Sequence, residues 1–269
     1  SPARRLSRYS MGTFLETVVE RTQADLAERK RRTPASELRE RLGPARRGRP
    51  FSEALIAEGI SLIAEMKRAS PSRGPIRPDA RVEDIVSAYQ EAGARAVSVL
   101  TEPEYFGGSL DDLVAARAAC DLPLLRKDFV VDEYQLLEAR LAGADAVLLI
   151  VAALEPARLT ALIGAAAEIG MDSLVEVHDE QEVEEAVEAG AEVIGVNNRN
   201  LHSLEVDIST TFRLLADVPA GTVVVAESGI AGRATVRDLE EAGVDAILVG
   251  EALMSQDDPR VAVRELLTG

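Results

Sequence analysis

The residue pattern predicts an α/β fold: a single (β/α)8 TIM barrel with extra N-terminal helices ahead of its first strand. Three observations carry the prediction. Eight apolar runs of strand length alternate with segments of helical periodicity. A glycine-bearing tetrapeptide (EAGA at 91–94, LAGA at 141–144, EAGA at 188–191, EAGV at 241–244) recurs about every 50 residues, each time where a helix yields to a strand. Apolar residues make up 46% of the 269 and aromatics only 3%, so the core must be built from Val, Ile, Leu and Ala, as buried parallel strands are.

From the N-terminus, residues 13–43 read as a helix followed by a turn, with Phe14, Leu15, Val18, Val19 and Leu26 at helical spacing and charges on the other face. Gly43, Pro44, Gly48 and Pro50 interrupt the chain, and a short helix is expected over 51–57. Strands follow at 60–66, 95–101, 122–127, 145–151, 172–177, 192–197, 221–227 and 244–250. Helices are expected between them at 81–92, 109–119, 133–142, 155–169, 179–189 and 233–242, with a less regular one at 206–216. An open doubly wound sheet is disfavoured, because no G-x-G-x-x-G follows the first strand. Residues 1–10 are basic and polar and are expected to be a flexible arm or an added remnant. The domain is then 11–269, including a helical extension at 13–57, with no room for a second domain.

The formal net charge of −16 argues against a nucleic-acid binder and fits a solvated surface. One cysteine, Cys120, allows no intramolecular disulfide and fits a reducing, cytoplasmic setting; it is expected near a helix end as a small hydrophobe. No apolar run reaches the ~20 residues that span a bilayer, so no membrane association is expected. His178 and His202 lack ligand spacing, so no metal is assigned. Asp111-Asp112 and Asp257-Asp258 read as helix N-cap residues.

Barrels of this kind carry their sites at the C-terminal ends of the strands. Strand 1 ends in Glu65 and Lys67, strand 3 in Lys127 and Asp128, strand 5 in Glu176, strand 6 in Asn197, and strand 7 in Glu227 and Ser228. Period-two alternation puts Ile63, Glu65 and Lys67 on one face, as it does Leu125 with Lys127, Leu174 with Glu176 and Val225 with Glu227. If those faces point inward, the charges converge above the core. The chain has three lysines, Lys30, Lys67 and Lys127, and every other side-chain cation is Arg or His. Arg serves wherever charge alone is wanted, yet two of the three lysines stand at strand tips. A lysine in a dry site can give up or take a proton, which Arg does not.

Ser228-Gly229 after strand 7 and Gly250 after strand 8, ahead of Glu251, suggest a phosphate subsite built from backbone N–H groups and a short helix. Glu251 borders that subsite and is read as turned away from the ligand. Ser70-Pro71-Ser72-Arg73-Gly74 forms a second Gly/Ser segment after strand 1, and the loop 70–79 is expected to close over substrate.

These residues also carry a resemblance. The runs Ile63-Ala64-Glu65-Met66-Lys67-Arg68-Ala69-Ser70-Pro71-Ser72, Ser98 to Glu102, Tyr105 to Ser109, Leu125-Arg126-Lys127-Asp128-Phe129, Leu174 to His178, Gly195 to Leu201 and Ala226 to Ile230 resemble the motifs of the indole-3-glycerol-phosphate synthases. The match runs from about Phe14 to the C-terminus, on all eight strands. The resemblance implies a lyase of tryptophan biosynthesis that acts on 1-(2-carboxyphenylamino)-1-deoxyribulose 5-phosphate by ring closure, decarboxylation and dehydration, without a cofactor. It implies that Lys127 is the general acid and that Glu176 faces the substrate amine or a charged intermediate. It implies that Lys67 contacts the substrate carboxylate and is a candidate donor at dehydration, with Glu65 its partner and a candidate base; the sequence does not assign the two lysines to particular proton transfers. It further implies that Asn197, Arg199, Glu227 and Ser228 hold substrate hydroxyls, the carboxylate and the polar network. Ser70, Gly229 and Gly250 meet the phosphate, with Glu251 beside them, and Phe106, Phe129 and Leu201 wall the anthranilate ring. A monomer or weak homo-oligomer is expected.

Two alternatives compete. A phosphoribosylanthranilate isomerase-like barrel would use a Cys–Asp pair at strand ends, but Cys120 precedes strand 3. A non-catalytic barrel that binds a phosphorylated ligand would accept Arg at both lysine positions.

Overall fold

The computed structural model describes residues 13–44 and 46–269; the arm expected at 1–10 lies outside them. Eight parallel strands close into a barrel in chain order: β1 (Ser61–Met66), β2 (Ala96–Leu100), β3 (Leu124–Lys127), β4 (Ala146–Ile150), β5 (Asp172–Val177), β6 (Val193–Asn197), β7 (Val223–Glu227) and β8 (Ala246–Val249). β1 pairs with β2 on one side and β8 on the other, which seals the ring. Each strand lies within two residues of its expected bounds.

Alternation along these strands sorts the core into two sets. Ile63, Ala96, Leu125, Ala146, Leu148, Leu174, Val193, Val225, Ala246 and Leu248 fill the barrel interior. Leu62, Val97, Leu124, Val147, Val175, Ile194, Val224 and Ile247 face outward under the helices. One step further along the inward parity come Glu65, Lys127, Glu176, Asn197, Glu227 and Gly250, so a polar layer is stacked on the apolar one.

The N-terminal segment departs from the single helix expected over 13–43. α1 spans Phe14–Arg32 and α2 spans Ala35–Leu42. Thr33 is extended (φ −135°, ψ 104°) because Pro34 follows it, and Pro34 then serves as N-cap of α2. Thr13 starts α1 through a capping box with Glu16. Leu15 and Val18 of α1 pack with Phe129 and Ile150 at the C-terminal end of the barrel. Leu26 and Leu38 pack with Tyr134 and Leu137 on the barrel's side. α3 (Phe51–Leu55) closes the opposite end, with Phe51 and Leu55 fully buried and the Ser52 N–H donating to Asp172 at the start of β5.

Three further details differ from expectation. The segment after β1 contains a small antiparallel ladder, Ala69–Ser70 against Gly74–Pro75. A final helix, Pro259–Leu267, packs at the C-terminus; Asp258 caps it as expected. The 110–119 helix, however, is capped by Ser109 rather than by Asp111 or Asp112, and Asp112 instead forms a two-point ion pair with Arg68. Cys120 is buried and caps the C-terminus of that helix. Among the described residues no helix is long and apolar enough to cross a membrane.

Candidate active site

A cavity of about 550 Å³ opens at the C-terminal end of the barrel. All fifteen residues singled out from the sequence line it: Glu65, Lys67, Ser70, Phe106, Lys127, Phe129, Glu176, Asn197, Arg199, Leu201, Glu227, Ser228, Gly229, Gly250 and Glu251.

The organising group is Glu65. Its Oε1 lies 3.3 Å from Lys67 Nζ and its Oε2 lies 3.4 Å from Lys127 Nζ, so one buried carboxylate is shared by the two strand-tip lysines. Ser98, on the strand between β1 and β3, donates to Oε2 at 3.0 Å. Burial opposes ionisation of Glu65, but Lys127, Lys67 and Ser98 outweigh it and hold the carboxyl below its ordinary range. Burial would also strip the proton from Lys127. Glu65, Glu227 and Glu176 together overcome that and raise its pKa, so Lys127 stands in the site as an ammonium ion. Of the two directions in which a lysine can be tuned, the fold takes the one that keeps an acid.

Glu176 and Glu227 form a pair of buried carboxyls whose pKa values move in opposite directions. Burial pushes Glu227 well above the carboxylate range, and the Glu176 charge adds to this. Glu176 stays ionised below that range: burial opposes this, but His178, then Lys127 and Glu227, prevail. No N–H or hydroxyl of the described residues reaches Glu176 Oε2 or Glu227 Oε1. The opposite directions of the two shifts favour a proton shared by the pair on the Glu227 side. Asn197 ties this pair to the turn after β7: its Nδ2 donates to Glu176 Oε1 at 3.0 Å, while its Oδ1 accepts from Ser228 Oγ at 2.8 Å and from the Arg199 N–H at 3.0 Å.

Ser228 and Gly229 both adopt left-handed backbone (φ 68° and 77°), which turns the chain sharply beneath the cavity. Gly250 leads into the short helix Glu251–Met254. Glu251 Oε1 is 3.1 Å from Arg73 Nη1, so its carboxylate faces the segment after β1. Ser70 Oγ accepts from the Arg73 N–H at 3.3 Å. The Arg199 guanidinium is anchored by the Leu204 carbonyl at 2.9 Å.

The opposite wall is aromatic. Phe14 of α1 meets Tyr105 edge-on at 4.9 Å between centroids and Phe129 at 6.2 Å. Arg21 lies 5.7 Å over the Tyr105 ring and pairs with Glu104. Glu102 accepts from the backbone N–H groups of Glu104, Tyr105 and Phe106, which fixes the loop that carries Phe106.

Sequence reasoning missed several of these contributors. Phe14 lines the cavity, although its spacing marks it only as a helix residue. His178, whose spacing argues only against a metal, lies between Glu176 and Glu182. Gly195 has a steric function, since a β-carbon there would stand 2.2 Å from Glu227 Oε1.

A family model described as indole-3-glycerol phosphate synthase matches residues 15–266. The chain is 51% identical over 257 residues to indole-3-glycerol phosphate synthase 2 of Streptomyces coelicolor, covering 96% of this chain and 100% of that one. It is 50% identical over 254 residues to the indole-3-glycerol phosphate synthase of Parafrankia sp., covering 94% and 95%. Among solved structures, 3-hexulose-6-phosphate synthase from Salmonella typhimurium superposes with a TM-score of 0.61 at 18% identity, covering 77% of this chain and 96% of that chain. Thiamine phosphate pyrophosphorylase from Pyrococcus furiosus gives 0.59 at 21% identity, covering 81% and 96%. At such identities these two likenesses concern the barrel fold alone.

Proposed function

The chain belongs to the indole-3-glycerol phosphate synthase family, and from that membership we propose how its site residues divide the reaction. The enzyme converts 1-(2-carboxyphenylamino)-1-deoxyribulose 5-phosphate to indole-3-glycerol phosphate, CO2 and water. The proposed class is carboxy-lyase, with no cofactor.

The observation that carries the assignment is the sharing of Glu65 by Lys67 and Lys127 at the floor of the cavity. In the first step the aryl carbon bearing the carboxylate attacks the ketone carbon, and the ketone oxygen takes a proton from the Lys127 ammonium group. The carboxylate then leaves as CO2, and its bonding electrons restore the aromatic ring. In the last step the new hydroxyl takes a proton from Lys67 and leaves as water, while Glu65 removes a proton from the neighbouring methylene. Two protons are delivered and one is recovered; the difference matches the negative charge lost as neutral CO2. Glu176, ionised and buried, stabilises the positive charge that develops on the aryl amine. The phosphate is assigned to Ser70, Gly229 and Gly250, and the anthranilate ring to Phe106, Phe129 and Leu201.

Single-turnover measurement of both products tests this division. Indole fluorescence reports the end of the sequence against a chain without Trp, and released CO2 reports ring closure. Lys127→Arg should release neither product. Lys67→Arg should release CO2 and lag in indole formation. Wild-type rates in Lys127→Arg, or CO2 without indole from that variant, would overturn the assignment.

A further inference from the structure

Glu176 is braced from behind by a residue that does not line the cavity. His178 Nε2 lies 3.3 Å from Glu176 Oε1, and its Nδ1 lies 3.0 Å from Glu182 Oε2. The same Glu182 oxygen accepts from the His178 backbone N–H at 2.7 Å. Glu182 sits in the first turn of the helix Glu180–Glu188, where Asp179 caps its backbone N–H at 2.8 Å. Glu176 and Glu182 are both buried, at 1% and 4% exposure, so a carboxylate–imidazole–carboxylate chain runs from an outer helix to the cavity wall.

An imidazole flanked by carboxylate oxygens at both ring nitrogens carries a proton on each. Burial alone would discharge it, but Glu176 and Glu182 dominate and push the His178 pKa up to about 10. The charged groups facing Glu176 are His178, Lys127 and Glu227, and those facing His178 are Glu176 and Glu182. Asn197 donates to Glu176 Oε1, and His178 Nε2 stands beside the same oxygen as a charge contact rather than an aligned hydrogen bond, which leaves Oε2 as the oxygen without a fixed N–H partner.

We infer that His178, locked by Glu182, is a positioning residue for the reaction: a half-buried imidazole held between Glu182 and Glu176 that orients Glu176 toward the developing charge on the substrate amine. The inference rests on the role proposed above for Glu176. It explains why Glu176 and Glu227, two buried carboxyls in one site, do not exchange roles. The imidazolium stands on the Glu176 side only, so the shared proton stays on Glu227.

His178→Gln keeps a side-chain amide and removes the charge. Glu182→Gln leaves the imidazole in place and removes its anchor from outside the cavity, so the question stays answerable should the first variant fold poorly. The readouts are the pH profile of kcat and the midpoint of the imidazole NMR titration. With only His178 and His202 in the chain, a His202→Gln reference assigns the signals. In His178→Gln the acid limb of kcat should move to higher pH by about one unit or more, because an opposite charge at this range lowers a carboxyl by that much. KM should change little, since the lost interaction belongs to the transition state. In Glu182→Gln the limb should move the same way by less, and the His178 midpoint should fall. A limb that stays in place while kcat drops evenly at all pH values would reduce His178 to a packing role and overturn the inference. An unmoved His178 midpoint in Glu182→Gln would overturn it equally. Wild-type protein that forms no indole would instead overturn the role of the whole site, this inference included.

Discussion

Gly250 and Glu65 approach each other so closely that a β-carbon on Gly250 would stand 2.8 Å from Glu65 Oε1 and 3.1 Å from its Cβ. Because Glu65 is fixed by Ser98 and both lysines, it has no alternative position to take up. Gly250→Ala should therefore fold with a stability loss of about 1–3 kcal/mol, as overpacking costs in a filled site. Its turnover should fall by about tenfold or more, since misplacement by a fraction of an ångström spoils proton transfer. Thermal unfolding together with steady-state kinetics checks both; full turnover in the folded variant would show that Glu65 does not set the lysine geometry.

Glu65→Gln should lose stability at neutral pH by roughly 3 kcal/mol, because removing one member of a buried ion cluster leaves the others uncompensated. The sign with pH follows from the lowered pKa. The contribution of Glu65 is present above the ordinary carboxylate range and is lost as pH falls through its lower folded value. The gap between variant and wild type should thus narrow in acid. Denaturation curves at pH 7 and near pH 3 measure it, and a gap that widens in acid would contradict the direction.

Glu227 carries the opposite sign. Burial and the Glu176 charge raise its folded pKa, so the native state keeps a proton that the unfolded chain releases. Its contribution is full below the unfolded value and is lost as pH rises toward the folded one. Glu227→Gln, neutral at every pH and still a donor toward Glu176, should be more stable than wild type at pH 8 and nearly equal to it below pH 4. Turnover should fall in the same variant, a trade of function for stability. A thermal midpoint at pH 8 no higher than that of wild type would refute this.

The positions legible from sequence were those governed by periodicity. Alternation along a strand is local, so Leu125 and Lys127, or Val225 and Glu227, could be placed on one inward face before any fold was known. The scarcity of lysine likewise picked out Lys67 and Lys127. What stayed hidden depends on ring closure. Glu65 meets Lys127 across an intervening strand, and Gly195 makes room for Glu227 from β7. The His178–Glu182 contact spans a strand end and the next helix, where four-residue spacing has no helical meaning until the turn is built. The break at Pro34 was readable, and the apolar spacing of the preceding helix masked it.

The aromatic wall gives the last prediction. Phe14 is carried by α1, outside the barrel repeat, and its ring bridges Tyr105 and Phe129 beside the cavity. It is not among the charged groups that move protons, so it contributes equally to ground-state and transition-state binding of an aromatic substrate. Phe14→Ala should raise KM by about tenfold, corresponding to one or two lost edge-to-face contacts, and leave kcat within a factor of about two. Inorganic phosphate binding should be unchanged, because Gly229 and Gly250 lie on the far strands of the ring. A lowered kcat with unchanged KM would instead assign α1 to the chemical step, through the contact of Phe14 with Phe129 two residues beyond Lys127.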